Sequence, residues 1–199
     1  MPRFSVSRFQ QGDLDNLCGA YAVIHAILVA ASNRRACRAR TRRSLPTFTQ
    51  EEARRIFAHL VWALVRTSLA RPVLDGIATT KLVRLLLVAS GWLEKHHGLK
   101  IAIGRPFRAS LRPRYTSIIG ALRDHLECHA TSAIIGAHPP WDHWTAVRRV
   151  GRTRLVIVDS GGWFYVPLRR GKAASRAHAG LIDPSCVFLL TLKPIEARL

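Results

Sequence analysis

The 199-residue chain is long enough for one sizeable domain or for two small lobes that share an interface. Its composition, 48% hydrophobic and 22% charged residues, is typical of a folded globular protein and excludes an intrinsically disordered one. Lysine and arginine number 31 against 12 aspartate and glutamate residues, and the resulting net charge of +19 favours acidic partners.

The first half of the sequence predicts helices. Residues 17–31 are apolar enough for a buried helix and too few to span a bilayer. Residues 47–70 contain Thr49 and Glu52 in a capping-box arrangement, followed by apolar residues at helical spacing. Two further helices are expected over residues 77–91 and 117–129.

The second half predicts strands, because runs of β-branched and aromatic residues alternate there with turn residues. This order indicates an α+β fold in a single domain over residues 1–199. The helical lobe is expected over about 1–98 plus helix 117–129, and the sheet lobe over about 100–105 and 131–193. The predicted strands cover residues 100–105, 131–137, 143–150, 153–159, 163–168 and 186–192.

The cysteines and the N-terminal charges predict a compartment. The four cysteines form no CxxC motif, which fits reduced thiols in a cytosol better than a disulfide framework. Asp13 and Asp15 directly precede the first apolar helix, where a cleaved signal peptide would need basic residues. We therefore expect a cytoplasmic protein, and leave export by a dedicated secretion system open.

Cys18 stands where the polar stretch QQGDLDNL gives way to the first predicted helix. Asp15 is a good N-cap residue, which puts Cys18 in the first turn, where the helix dipole favours a thiolate. The alternative is a small, packed core cysteine. His25 lies on the same helix face, but roughly 10.5 Å away at about 1.5 Å per residue, so a base for Cys18 must come from elsewhere.

A predicted hairpin supplies a histidine and an acid. His143 begins one strand, Gly151 marks the turn, and Asp159 ends the next strand. A three-residue loop around Gly151 would place His143 directly opposite Asp159 on one face. A two-residue loop would place His143 opposite Ser160, with Asp159 on the other face. An acid beside an imidazole fixes its tautomer and stabilises the imidazolium that a Cys–His pair requires.

Together, QGDLDNLCGAYAVIHAI and HWTAVRRV…IVDSGGW resemble the papain-like cysteine proteases, and look closest to compact bacterial members such as the bacteriocin-leader peptidases. The resemblance covers the two ends of the catalytic unit. It implies a papain-like fold in which Cys18 is the nucleophile and His143 is the general base and acid. It also implies that Asp159 orients His143.

The resemblance further implies that Gln11 donates a hydrogen bond to the oxyanion, alongside the backbone N–H of Cys18. The usual glutamine lies six residues before the nucleophile, whereas Gln11 lies seven before and Gln10 eight before. Asp15, three residues before the cysteine, is similar to the Asp-x-x-Cys of ovarian-tumour-type deubiquitinases. It is a second candidate for shaping the oxyanion loop.

Three tryptophans are candidates for the walls of a substrate groove. Trp141 and Trp144 flank His143, and Trp163 follows Asp159. Burial in the core of the sheet is the equally weighted alternative. Neither a metal nor a cofactor is expected, because Cys128-His129 has no second ligand pair at zinc-like spacing and the sequence contains no phosphate loop or dinucleotide fingerprint.

The sequence therefore predicts a cysteine peptidase that cuts a peptide or isopeptide bond of a protein substrate through a thioester. Alternatives are glutamine deamidation or acyl transfer by the same triad, and a non-catalytic basic binding module. The expected partner is a protein or peptide whose surface is acidic, unless the charge only reflects an arginine-rich genome. Nucleic acid is less favoured, because basic and aromatic residues do not alternate as in proteins that stack bases.

Overall fold

The computed structural model describes residues 17–33, 46–66, 77–110, 113–137, 143–168 and 182–195. Within these residues, four helices accompany a six-stranded antiparallel sheet, which confirms the expected α+β class. The helices are α1 (Cys18–Ser32), α2 (Gln50–Val65), α3 (Thr79–His97) and α4 (Tyr115–Leu126). The strands are β1 (Leu99–Gly104), β2 (Thr131–Ala137), β3 (His143–Val150), β4 (Arg154–Val158), β5 (Tyr165–Pro167) and β6 (Ile182–Pro194).

The sheet separates two apolar cores. Its strand order is β1-β6-β2-β3-β4-β5, and every neighbouring pair is antiparallel. Because side chains alternate along a strand, Ile134 and Phe188 pack with α1, α2 and α3 on one face. Ile135 and Val187 pack with α4 on the other face. The helix that begins at Cys18 therefore lies on the central strands.

The position of α4 corrects the expected grouping of helix 117–129 with the helical lobe. This helix packs against β2 and β3 on the face of the sheet opposite α1. The physical reason is its amphipathic stripe, which finds an uncovered apolar face only there, since α1 occupies the other side. The buried residues of the stripe are Ile118, Ile119, Leu122 and Leu126.

The helix ends confirm one predicted cap and correct another. Thr49 accepts a hydrogen bond from the N–H of Glu52, and the Glu52 carboxylate accepts one from the N–H of Thr49, so the expected capping box is present. The N-cap of α1 is Leu17 instead of the expected Asp15, because the helix begins at Cys18, two residues later than a cap at Asp15 would give. Cys18 still lies in the first turn.

The observed helices and strands are mostly the predicted ones, but several of them begin or end at different residues. β2 and β3 have the predicted bounds, whereas β6 begins four residues earlier, at Ile182. α3 continues to His97, where Gly98 ends it at a φ of 62°, a conformation that favours glycine. The predicted extension of α2 over residues 67–70 lies outside the described residues.

Candidate active site

The start of α1 is held against the sheet through Ile77. A Cβ on Gly19 would lie 3.0 Å from the Ile77 side chain, so glycine allows this close approach. The Trp144 indole N–H in turn donates to the Ile77 carbonyl oxygen at 2.6 Å. Because Trp144 directly follows His143 on β3, these two contacts bring the first turn of α1, with Cys18, to the beginning of that strand.

The β3–β4 hairpin places His143 and Asp159 on one side through a bulge. The Gly151 N–H donates to the Arg154 carbonyl at 2.8 Å, so two residues form the turn. Val150 pairs with Leu155, but Val147 pairs with Ile157, which leaves Arg148 as the extra residue of a β-bulge.

This register corrects the expected hairpin geometry. A two-residue turn followed by a regular ladder would put His143 and Asp159 on opposite faces of the sheet. The extra residue of the bulge brings them to the same face. Continuing the register beyond the Ala146–Val158 pair places Thr145 opposite Asp159. His143 is therefore two residues further along the same face, not directly opposite Asp159 as a three-residue loop would give.

His143 and Asp159 form a short hydrogen bond. Nε2 of His143 lies 2.7 Å from Oδ1 of Asp159, whose side chain is only 1% exposed. The other carboxylate oxygen, Oδ2, accepts the N–H of Gly161 at 2.8 Å. Next in the chain, Gly162 adopts a φ of 83° that favours glycine. The turn after β4 thus holds the carboxylate from the side away from the imidazole.

The imidazole of His143 also hydrogen bonds to the side chain of Cys18. Burial alone lowers the pKa of His143, but the hydrogen bonds to Asp159 and to Cys18, and the negative charges of both, outweigh burial and raise the pKa to about 9. At neutral pH the imidazole therefore keeps its proton. Because Nε2 is bonded to Asp159, Nδ1 is the nitrogen left to face the thiol.

Asp159 is the charged partner that this protonated imidazole needs. Burial raises the pKa of the carboxyl, but the hydrogen bond and positive charge of His143, with hydrogen bonds from Thr145 and the Gly161 N–H, lower it below its ordinary value. The carboxylate stays ionised although it is enclosed. Thiol, imidazole and carboxylate thus form a connected chain that can hold a thiolate–imidazolium pair.

The three candidate groove tryptophans have different placements. Trp163 is 38% exposed, and its ring centroid lies 5.4 Å from that of His143, beside the candidate site. Trp144 is buried and packs edge-on against Phe188, which is the core position that the sequence left as the alternative. Trp141 lies outside the described residues.

Two further residues considered from the sequence, His25 and Cys128, are not part of this arrangement, and two others are not described. Gln11 and Asp15, the two oxyanion candidates, lie outside the described residues. His25 is fully buried within α1. Cys128 is exposed after the end of α4 and donates to the Asp124 carbonyl.

No cluster of three or more histidine, cysteine, aspartate or glutamate side chains among the described residues could hold a metal ion. No described helix combines the length and apolar character needed to cross a membrane.

Three residues that support the candidate site are not identified from the sequence. Thr145 hydrogen bonds to Asp159, and its position two residues after His143 in a strand was a sufficient signal. Gly161 contributes only its backbone N–H, for which the two adjacent glycines were a weak signal. Ile77 acts through a contact with Gly19, 58 positions earlier in the sequence, that no local pattern indicates.

No family model matches this chain, and no curated protein matches it significantly.

Proposed function

We propose that this chain is a papain-like thiol hydrolase that cuts a peptide or isopeptide bond through Cys18, His143 and Asp159. The observation that carries the proposal is that one imidazole hydrogen bonds both to Cys18 and, at 2.7 Å, to the buried Asp159 carboxylate. Such a Cys–His pair is an activated nucleophile. The order of a helix that begins at the cysteine and a later antiparallel sheet with the histidine and the acid supports the papain-like assignment.

In the proposed reaction, the Cys18 sulfur attacks the substrate carbonyl carbon, and the carbonyl π electrons move to the oxygen. His143 then gives its Nδ1 proton to the leaving amine as the C–N bond breaks, which leaves a thioester on Cys18. Water attacks the thioester while His143 accepts its proton, and cleavage of the C–S bond releases the carboxylic acid. Asp159 stabilises the imidazolium and fixes its orientation in both steps.

The test compares wild-type and Cys18→Ala protein after incubation with cell lysate, by mass spectrometry of new peptide termini. We expect termini that depend on Cys18. A matched control is Cys128→Ala, which removes an exposed thiol just after the end of α4 and is expected to retain the wild-type products.

The products also separate the proposal from its alternatives. A gain of one dalton on a glutamine side chain would instead assign deamidation, and a new cross-link would assign acyl transfer. If wild-type and Cys18→Ala proteins give the same termini, amides and cross-links, the hydrolase proposal is wrong, and a non-catalytic binding module remains.

A further inference from the structure

Three consecutive aromatic side chains beside the candidate active site are exposed. Trp163, Phe164 and Tyr165 expose 38%, 60% and 56% of their surface. Contiguous exposed aromatic surface is typical of binding sites. The Trp163 ring lies 5.4 Å from the His143 ring, so this aromatic run begins at the site itself.

Two arginines share a sheet face with Tyr165. Arg149 pairs with Val156, and Val156 pairs with Tyr165, so the three form one row across β3, β4 and β5 with their side chains on one face. Arg154 is two residues before Val156 on β4 and lies on that face as well. Its guanidinium is 5.4 Å from the centre of the Tyr165 ring.

This face of the outer strands is open to solvent. The opposite face carries Leu155 and Val166, which pack into the core beneath α4. On the arginine side, α1 lies over β3 and has few contacts with β4. Arg149, Arg154 and Tyr165 are consequently exposed. We call these three residues, with Trp163, the basic aromatic patch.

The charge around the basic aromatic patch has one sign. Residues 143–168 contain four arginines and one acidic residue, Asp159, which is buried against His143. No exposed carboxylate in that segment offsets the arginines. Guanidinium groups bind carboxylates in charge-assisted hydrogen bonds, and exposed aromatic rings bind apolar side chains between them.

We propose that the basic aromatic patch binds an acidic, extended segment of a protein substrate, on the C-terminal side of the scissile bond. The proposal rests on the thiol hydrolase function proposed above. In that reaction His143 protonates the leaving amine, so the chain beyond the scissile bond passes on the His143 side. The Trp163 ring is a neighbour of this imidazole, and Tyr165 follows Trp163 two residues along the chain.

The spacing defines which substrate positions reach the arginines. Tyr165 is two residues beyond Trp163, or roughly 7 Å along an extended chain, and Arg154 lies next to its ring. With the 5.4 Å from the His143 ring to the Trp163 ring and the 5.4 Å from the Tyr165 ring to Arg154, the path from His143 to Arg154 is about 18 Å. An extended substrate advances roughly 3.3 Å per residue, so a carboxylate about five residues after the scissile bond reaches Arg154.

Binding is tested with the Cys18→Ala protein, which keeps the patch and lacks the nucleophile. The probe is a fluorescein-labelled peptide of alternating leucine and glutamate, and its comparison has glutamine for glutamate. By fluorescence anisotropy at low salt, we expect binding of the glutamate peptide only. The double substitution Arg149→Gln and Arg154→Gln is expected to weaken it about three- to tenfold.

The matched control is Arg54→Gln with Arg123→Gln. It removes the same charge from exposed positions on α2 and α4 and is expected to leave the affinity unchanged. The proposed role of the patch would be refuted if the glutamine peptide bound equally well, or if the control variant lost as much affinity as the Arg149 and Arg154 variant. A single-stranded oligothymidylate that binds more tightly and displaces the peptide would assign the patch to nucleic acid and refute the proposal.

A cleavage assay tests the substrate role of the patch separately from the hydrolase function on which it rests. Wild-type protein is given internally quenched peptides with glutamates either after or before the cut, and we expect faster cleavage with glutamates after it. Cleavage that depends on Cys18 without this preference would refute the patch and leave the hydrolase function standing. Binding at the patch with no Cys18-dependent cleavage of any peptide would refute the hydrolase function, and with it the substrate role of the patch.

Discussion

Nε2 of His143 lies 2.7 Å from Oδ1 of Asp159, although His143 begins β3, Asp159 directly follows β4, and the two residues are not directly opposite each other. A bulge at Arg148 puts both residues on one face, and the Gly161 N–H holds the far side of the carboxylate. The imidazole is thereby fixed beside the first turn of α1, where it also bonds to Cys18.

Replacing Asp159 by asparagine keeps a hydrogen-bond acceptor for His143 and removes the charge. We expect the pKa of His143 to fall below about 9, because Asp159 is a principal cause of its rise. Cys18-dependent activity should fall about 100-fold, and Asp159→Ala should lower it further. NMR titration of the His143 ring measures the pKa. An unchanged titration in Asp159→Asn would show that the carboxylate does not set the protonation of the imidazole.

The same pKa shifts predict how stability depends on pH. The folded-state pKa of His143, about 9, exceeds its ordinary value of 6.5, so its contribution to stability is complete below pH 6.5 and is lost as the pH rises through 9. Asp159, with its pKa lowered, contributes above its ordinary value of 3.8 and loses this contribution in acid. Between pH 6 and 9.5 the unfolding free energy should fall by up to about 3 kcal/mol more in wild type than in His143→Gln. Urea titrations of both proteins measure this difference, and parallel losses would contradict it.

Deleting Arg148 should leave the His143–Asp159 contact intact. The pairs on either side of the bulge, Val147–Ile157 and Arg149–Val156, become consecutive in a regular ladder when the extra residue is removed. Cys18-dependent activity is therefore expected to stay within a few-fold of wild type. Arg148→Ala, which keeps the bulge, serves as the control for loss of the side chain. Inactivity of a folded deletion variant beside an active Arg148→Ala would mean that the bulge itself has a catalytic role.

The oxyanion assignment is tested by two neighbouring glutamines. If Gln11 donates to the oxyanion, Gln11→Ala should lower kcat by about 10²- to 10³-fold with little change in KM. Gln10→Ala is the matched control, and its kcat should be close to wild type. The reverse ranking would move the donor to Gln10, and equal small effects would remove both glutamines from the oxyanion site.

Most elements and the histidine–acid pair could be predicted from local sequence. The bounds of β2 and β3 were predicted because apolar β-branched runs end there at turn residues. The capping box was visible as Thr49 and Glu52. His143 and Asp159 were identified because a strand begins at one and another strand ends before the other.

Features that depend on distant contacts or on permissive local sequence were not predictable. The sequence does not indicate the bulge, because Arg148 and Arg149 are both exposed. Two adjacent charged side chains can reach solvent whether or not the strand contains an extra residue there. The stripe of α4 shows that the helix packs on an apolar surface, but which face of the sheet it covers depends on where α1 lies. The helix start could not be set to one residue, because Asp15 is a favoured N-cap residue by type, whereas the observed N-cap, Leu17, makes no side-chain cap hydrogen bond.

The most direct test of the central claim compares two cysteines of nearly equal burial. Cys18 and Cys186 are 6% and 7% exposed, but only Cys18 bonds to His143, whereas burial raises the pKa of Cys186. With iodoacetamide at pH 6, followed by peptide mass spectrometry, Cys18 is predicted to be alkylated much faster than Cys186 and the exposed Cys128, and His143→Ala is predicted to abolish the difference. Equal, slow alkylation of Cys18 and Cys186 in the wild-type protein would contradict the thiolate–imidazolium pair, and with it the proposed function.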